Sequence, residues 1–147
     1  MWGDEMVTTA SKATANAEVV IRFIEEAFNS GNFQVLREIV DPEHVSHLPT
    51  GDHYGPEGVR IDIACFRSAF PDLHVDIDEV IPARDRVIYR FTAHGTHEAP
   101  FMGVPACHRR VSVTGIAIDR LRNGKTVERW VQYDSAGLLQ QLGALPS

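Results

Sequence analysis

The sequence predicts an α+β domain in which N-terminal helices pack into a strongly curved mixed or antiparallel sheet, and three observations carry that expectation. Apolar residues recur at helical spacing through the first half of the chain and every second residue through the second half. The two patterns are segregated rather than alternating, which excludes a doubly wound parallel sheet. The 147 residues match the size of one domain, and 44% hydrophobic against 23% charged residues is enough apolar material for a buried core.

Residues 1–10 read as a disordered N-terminal segment and 11–147 as a single domain. From Ser11 the pattern is helical, with Val20, Phe23, Ile24, Ala27 and Phe28 on one face and Asn29-Ser30-Gly31-Asn32 as the stop. Phe33 to Val40 reads as a short second helix ending before Asp41-Pro42. His44 to Leu48 is extended, and a loop runs from Pro49 to Gly55. Pro56 and Glu57 open a third helix, whose stripe is Val59, Ile63, Phe66 and Phe70. The period then changes to two: Leu73, Val75 and Ile77 alternate with polar residues. Arg86 to His94, Arg110 to Arg122 and Thr126 to Asp134 are further strands, and Asn123-Gly124 turns the last two into a hairpin. Leu138 to Leu142 packs as a short tail. A sheet curled over helices encloses an apolar hollow suited to a small hydrophobic ligand.

Fourteen basic against twenty acidic residues give a net charge of −6, the wrong sign for holding phosphates, so neither nucleic acid nor an anionic membrane is an expected partner. No apolar run approaches a membrane span, and the first residues lack a secretory signal, which points to the cytoplasm. Cys65 and Cys107 read as small buried hydrophobes, not as a disulfide or a zinc site. The seven histidines show no compact ligand spacing, so no metal is expected, and the absence of a Gly-rich phosphate loop or a G-x-S-x-G elbow argues against nucleotide hydrolysis and serine-hydrolase chemistry.

Several strings occur in a telling order: Ala69-Phe70-Pro71-Asp72-Leu73, Gly95-Thr96-His97, Phe101-Met102-Gly103-Val104-Pro105, Arg109-Arg110-Val111, Gly124-Lys125, Glu128 with Trp130, then Asp134 and Leu142-Gly143. Together they resemble the SnoaL-like polyketide and ester cyclase family over nearly the whole domain. The resemblance implies a cone-shaped α+β barrel of the nuclear-transport-factor and ketosteroid-isomerase type, often a homodimer, working without metal or organic cofactor. It also implies where pocket residues should fall. The family's acid/base Asp falls on Val131 and its paired His on Arg129. A Gln and a His fall on Gly115 and Ala117, and a pocket Asn falls on Ser46. The usual base is therefore expected to be missing.

The two-residue period of the closing hairpin nominates a replacement. If positions 115, 117, 129 and 131 face the hollow, so do Asp119, Leu121, Val127 and Tyr133. A three-residue connection would set residue 119 opposite 127, leaving Asp119 diagonal to Arg129. Asp119 is then a candidate base or acceptor and Arg129 a stabiliser of a developing oxyanion. The alternative is a solvated pair at the mouth, or a register shifted by one. His47 is a candidate proton-transferring or substrate-contacting group beside Ser46, or else a structural histidine. Phe66, Phe70, Tyr89, Phe91, Phe101, Met102, Ala117, Val131 and Tyr133 are candidate lining residues, and Tyr54 could close the mouth.

The function expected is a cofactor-free cyclase of secondary metabolism acting on a hydrophobic polyketide-type small molecule, with a non-standard acid/base set. Epoxide opening, forming an ether ring or a diol, is a variant. A non-catalytic small-molecule-binding protein is the rival. The apolar outer face carrying Ile116, Ile118 and Trp130 predicts a homodimer.

Overall fold

The computed structural model of the chain describes residues 2–146, with side chains described from Lys12 onward. Helix α1 (Trp2–Arg22) runs directly into a π-helical segment, Phe23–Asn29. The backbone helix thus starts before Ser11. The expected disordered segment 1–10 concerns Met1 and side chains that lie outside the described residues. The predicted stop is where the helix ends: Gly31 takes φ +68°, and Asn32 N–H donates to the Glu26 carbonyl at 2.8 Å.

The second helix is shorter than its apolar pattern suggests. A 3₁₀ turn (Phe33–Val35), capped by the Asn32 side chain at Gln34 N, leads to α2 (Leu36–Ile39). Already at Val40 the chain enters β1 (Val40–Leu48). Asp41-Pro42 is therefore absorbed into a strand, at an irregularity where Glu43 N–H donates to Asp41 Oδ1. The expected loop after Leu48 contains another strand, β2 (Gly51–Tyr54), antiparallel to β1.

Helix α3 (Gly55–Ala69) begins at the predicted proline and buries Val59 and Ile63. The strands β3 (His74–Ala83), β4 (Arg86–Thr96), β5 (Arg110–Arg122) and β6 (Lys125–Tyr133) follow, and α4 (Ser135–Gln141) is capped by Asp134.

The six strands are ordered β2-β1-β6-β5-β4-β3, all antiparallel except the parallel pair β1/β6. The α+β class is as expected, but the sheet does not close into a barrel. β2 and β3 are free edges, and the four-residue β2 leads straight into α3. Helices, not strand pairing, cover the hollow: Val20, Phe23 and Ile24 from the first helix, and Val59 and Ile63 from α3, bury against Val87, Tyr89, Ala117 and Val131 of the sheet. Each such large apolar side chain contributes about 1.5–3 kcal/mol. A second cluster around Phe70, Phe101, Val113 and Leu138 plugs one end.

The closing hairpin corrects the expected register. Asn123 (φ +53°) and Gly124 (φ +77°) form a two-residue turn with both residues left-handed, pairing Arg122 with Lys125. A bulge follows, with Leu121 opposite Thr126 but Arg120 opposite Glu128. This extra residue in β6 sets Asp119 directly across from Arg129, not diagonal to it. Cys65 is another correction, because it is exposed on α3, while Cys107 is half-buried beside the Nδ1 of buried His97. No described helix is long and apolar enough to cross a membrane.

Candidate functional site

Between the inner sheet face and the helices lies a cavity of about 110 Å³, room for several waters or part of a small organic molecule. Its wall is mostly apolar. Phe66, Phe70, Tyr89, Phe91, Ala117, Val131 and Tyr133, all nominated from sequence, line it. Phe91 owes its place to Gly115 on the neighbouring strand, where a Cβ would come within 2.4 Å of the ring. Polar residues are few in the lining: Ser46 from β1, Asp62 from α3, Tyr89 and His94 from β4, and Arg129 and Tyr133 from β6.

Arg129 is 5% exposed and Asp119 1%. Arg129 Nε donates to Asp119 Oδ1 and Nη2 to Oδ2, each at 3.0 Å. The same carboxylate accepts from Thr126 Oγ1 at 2.8 Å and from the Tyr89 hydroxyl at 3.0 Å. The guanidinium also lies over the Phe23 ring, 3.9 Å from its centroid. Burial by itself would lower the Arg129 pKa, but the adjacent Asp119 carboxylate more than offsets this, and the cation is held above its ordinary value. Burial, aided by Asp119, likewise raises the Tyr89 phenol. With its lone pairs taken up in this way, Asp119 sits behind the wall and does not line the cavity. It anchors a cation that does.

The carboxylate on the wall is Asp62. His53 of β2 binds it through Nδ1 at 2.5 Å. Burial raises the Asp62 pKa, against the opposing pull of His53 and Arg129. His53 is more exposed than Asp62, so the pair runs from the cavity toward solvent. The Tyr133 hydroxyl is buried and has no partner within hydrogen-bonding distance among the described residues; burial raises its pKa, against the opposing pull of the nearby Ser135 hydroxyl. Such an orphan in a cavity wall is a vacant hydrogen-bonding position.

Several expected site residues are elsewhere. His47 alternates with Ser46 along β1 and points to the opposite sheet face, stacked on Trp130 and bound to Asp52 and Glu128. Glu128, then Asp52, raises its pKa. Tyr54 is 68% exposed and does not line the cavity. Phe101 is buried in the end cluster, and Met102 is exposed in a left-handed turn. Asp62 and His53 were not singled out from the sequence. The available signal was Asp62 falling on the apolar stripe of α3, three residues after Val59 and one before Ile63. Among the described residues, no three His, Cys, Asp or Glu side chains group to hold a metal ion.

The family model for SnoaL-like polyketide cyclases matches residues 18–142. Among solved structures, IdmH from Streptomyces antibioticus is 34% identical, covering 87% of this chain and 98% of its own, with a TM-score of 0.78. TsrD from Streptomyces laurentii is 31% identical, covering 90% and 97%, with a TM-score of 0.82. A SnoaL-like protein from Jannaschia sp. CCS1 is 26% identical, covering 90% and 94%, with a TM-score of 0.83. No curated protein matches the sequence.

Proposed function

The chain belongs to the SnoaL-like polyketide cyclase family, and from that premise we propose that it is a cyclase closing a ring in a hydrophobic, carbonyl-bearing polyketide-type molecule, with Asp62 as its acid/base group. The observation that carries this reading is the convergence of Asp62, Arg129 and the unpartnered Tyr133 hydroxyl on one apolar cavity. Desolvation raises the Asp62 pKa and so strengthens the carboxylate as a base toward a C–H proton α to a carbonyl. Arg129, held in place by Asp119, and the Tyr133 hydroxyl stabilise the enolate oxygen that results. The enolate carbon attacks a second carbonyl of the same folded molecule, whose new alkoxide takes back the proton held by Asp62, and His53 relays protons between Asp62 and solvent. Phe66, Phe91 and Val131 press the chain into the reactive conformer, which supplies part of the rate without any chemical group.

This reading assigns the acid/base work to α3 rather than to β6, where the family resemblance expects it. We also infer that two copies associate through the outer sheet face. Ile81 pairs with Ile88, Ile88 with Ile118, and Ile118 with Trp130, forming an apolar row across four strands, with Ile116 52% exposed beside it.

The test is α-proton exchange of an aromatic 1,3-diketone in D₂O, followed by NMR. The wild type is expected to accelerate deuterium incorporation, and Asp62→Asn to lower that acceleration by roughly 10²-fold or more. Diketone binding without accelerated exchange rejects the cyclase mechanism and leaves a binding module.

A further inference from the structure

Two further polar side chains, Ser46 and His44, play no part in that mechanism, although they adjoin Arg129, which does. Ser46 lines the cavity, and its Oγ lies 2.8 Å from Nε2 of His44, two residues away on the same face of β1. His44 is 0% exposed, and its Nδ1 lies 3.0 Å from the Thr126 carbonyl oxygen. A carbonyl only accepts, so Nδ1 carries the ring proton and Nε2 presents a lone pair. The Ser46 hydroxyl therefore donates to His44, and its oxygen accepts no hydrogen bond from another described residue. Burial, reinforced by Arg129, lowers the His44 pKa to about 4 and keeps the ring neutral near pH 7. The parallel pairing of β1 with β6 sets Ser46 beside Arg129. Two of the guanidinium nitrogens are committed to Asp119, and Nη1 has no hydrogen-bond partner among the described residues.

A nucleophile bonded to a base, a base oriented by a third group, and a cation next to the nucleophile are the components of acyl transfer. We propose that Ser46 is a nucleophile, with His44 as its general base, and that the cavity hydrolyses hydrophobic carboxylic esters. Ser46 Oγ attacks the ester carbonyl carbon while its proton passes to His44 Nε2, and Arg129 stabilises the tetrahedral oxyanion. Collapse breaks the bond to the alcohol oxygen, which leaves with the proton from His44. Water then attacks the acyl-Ser46 ester, giving its proton to His44, and the regenerated serine oxygen recovers it as the carboxylic acid departs. The Thr126 carbonyl occupies the place a carboxylate takes in a Ser-His-Asp arrangement and fixes the tautomer. The absence of a G-x-S-x-G motif does not conflict with this, because such sites are recognised by geometry and not by sequence order.

An activated ester makes acylation the faster step, because a nitrophenolate leaves without needing the proton from His44, whereas deacylation still needs His44 to draw a proton from water, so the acyl-enzyme should accumulate. The probe is p-nitrophenyl hexanoate, read as a burst of p-nitrophenolate and as intact-protein and peptide mass. The wild type is expected to gain one acyl group mapped to Ser46. Ser46→Ala should gain none, and His44→Gln, which can still bond both neighbours, should acylate at least about 10²-fold more slowly. Circular dichroism verifies that both variants are folded. No adduct on the folded wild type, an adduct at any other residue, or equal labelling of Ser46→Ala overturns the proposal. The deuterium-exchange assay keeps the two readings apart: exchange without acylation defeats only the nucleophile, and acylation without exchange defeats only the cyclase.

Discussion

Replacing Asp119 with Asn removes the charge that balances Arg129 while preserving the shape of the side chain. The structure sets the size of the effect. Arg129 is nearly inaccessible, and its two carboxylate-bound nitrogens lose the stronger, charge-assisted part of their bonds. Breaking a buried pair from one side costs about 3–5 kcal/mol, because it strands an uncompensated charge. The Phe23 ring beneath the guanidinium contributes about 0.5–2 kcal/mol in wild type and variant alike, and so offsets none of this loss. For a domain of this length the loss corresponds to about 6–20 °C in Tm. Urea unfolding followed by circular dichroism measures it, beside the double variant Asp119→Leu/Arg129→Met. The double variant should return to within about 1–2 kcal/mol of the wild type, since a buried pair is often replaceable by apolar residues of similar volume, yet it should lose the exchange activity. A single variant within about 1 kcal/mol of the wild type would place the pair in solvent and refute both the anchoring role of Asp119 and the cavity placement of Arg129.

Three further outcomes follow from the same geometry. His44 has a folded pKa near 4, below its unfolded value near 6.5, so its contribution is fully present above about pH 6.5 and is lost as pH falls toward 4. Between pH 7 and 4 the wild type should therefore lose about 3 kcal/mol more stability than His44→Gln in parallel denaturant titrations, and equal losses would show that His44 titrates normally. Gly115→Ala should cost about 1–3 kcal/mol by driving a methyl into the Phe91 ring and the Gln132 carbonyl oxygen, measured by thermal unfolding, and a neutral result would mean that ring and backbone both give way freely. Ile116→Glu on the outer sheet face should shift sedimentation from dimer to monomer without changing exchange activity per chain, and unchanged sedimentation would remove that face from the interface.

Much of the fold was legible because periodicity is a local property. The stop at Gly31, the proline start of α3, the change from helical to strand period after Phe70, and the Asn123-Gly124 turn all appear where the residues place them. Parity along β5 and β6 also put Asp119, Arg129, Val131 and Tyr133 on the inner side. Other features depended on partners distant in sequence. β2 exists because β1 offers it an edge, and Val40 to Pro42 turn extended because β6 runs alongside. The bulge after Leu121 moved Arg129 opposite Asp119, a slip of hydrogen-bond register that residue types do not encode.

The same division holds for the site. From the residues alone came an apolar hollow, a hairpin carrying one carboxylate and one guanidinium inward, and an outer face rich in isoleucine, since each follows from alternation on a strand. Which carboxylate meets the cavity was settled only by packing. Asp119 is satisfied by five hydrogen bonds from three neighbours and withdraws behind the wall, whereas Asp62 is carried to the surface of the hollow when α3 docks on the sheet. Strand parity tells which side a residue faces. Only the three-dimensional arrangement tells what is already bound to it there.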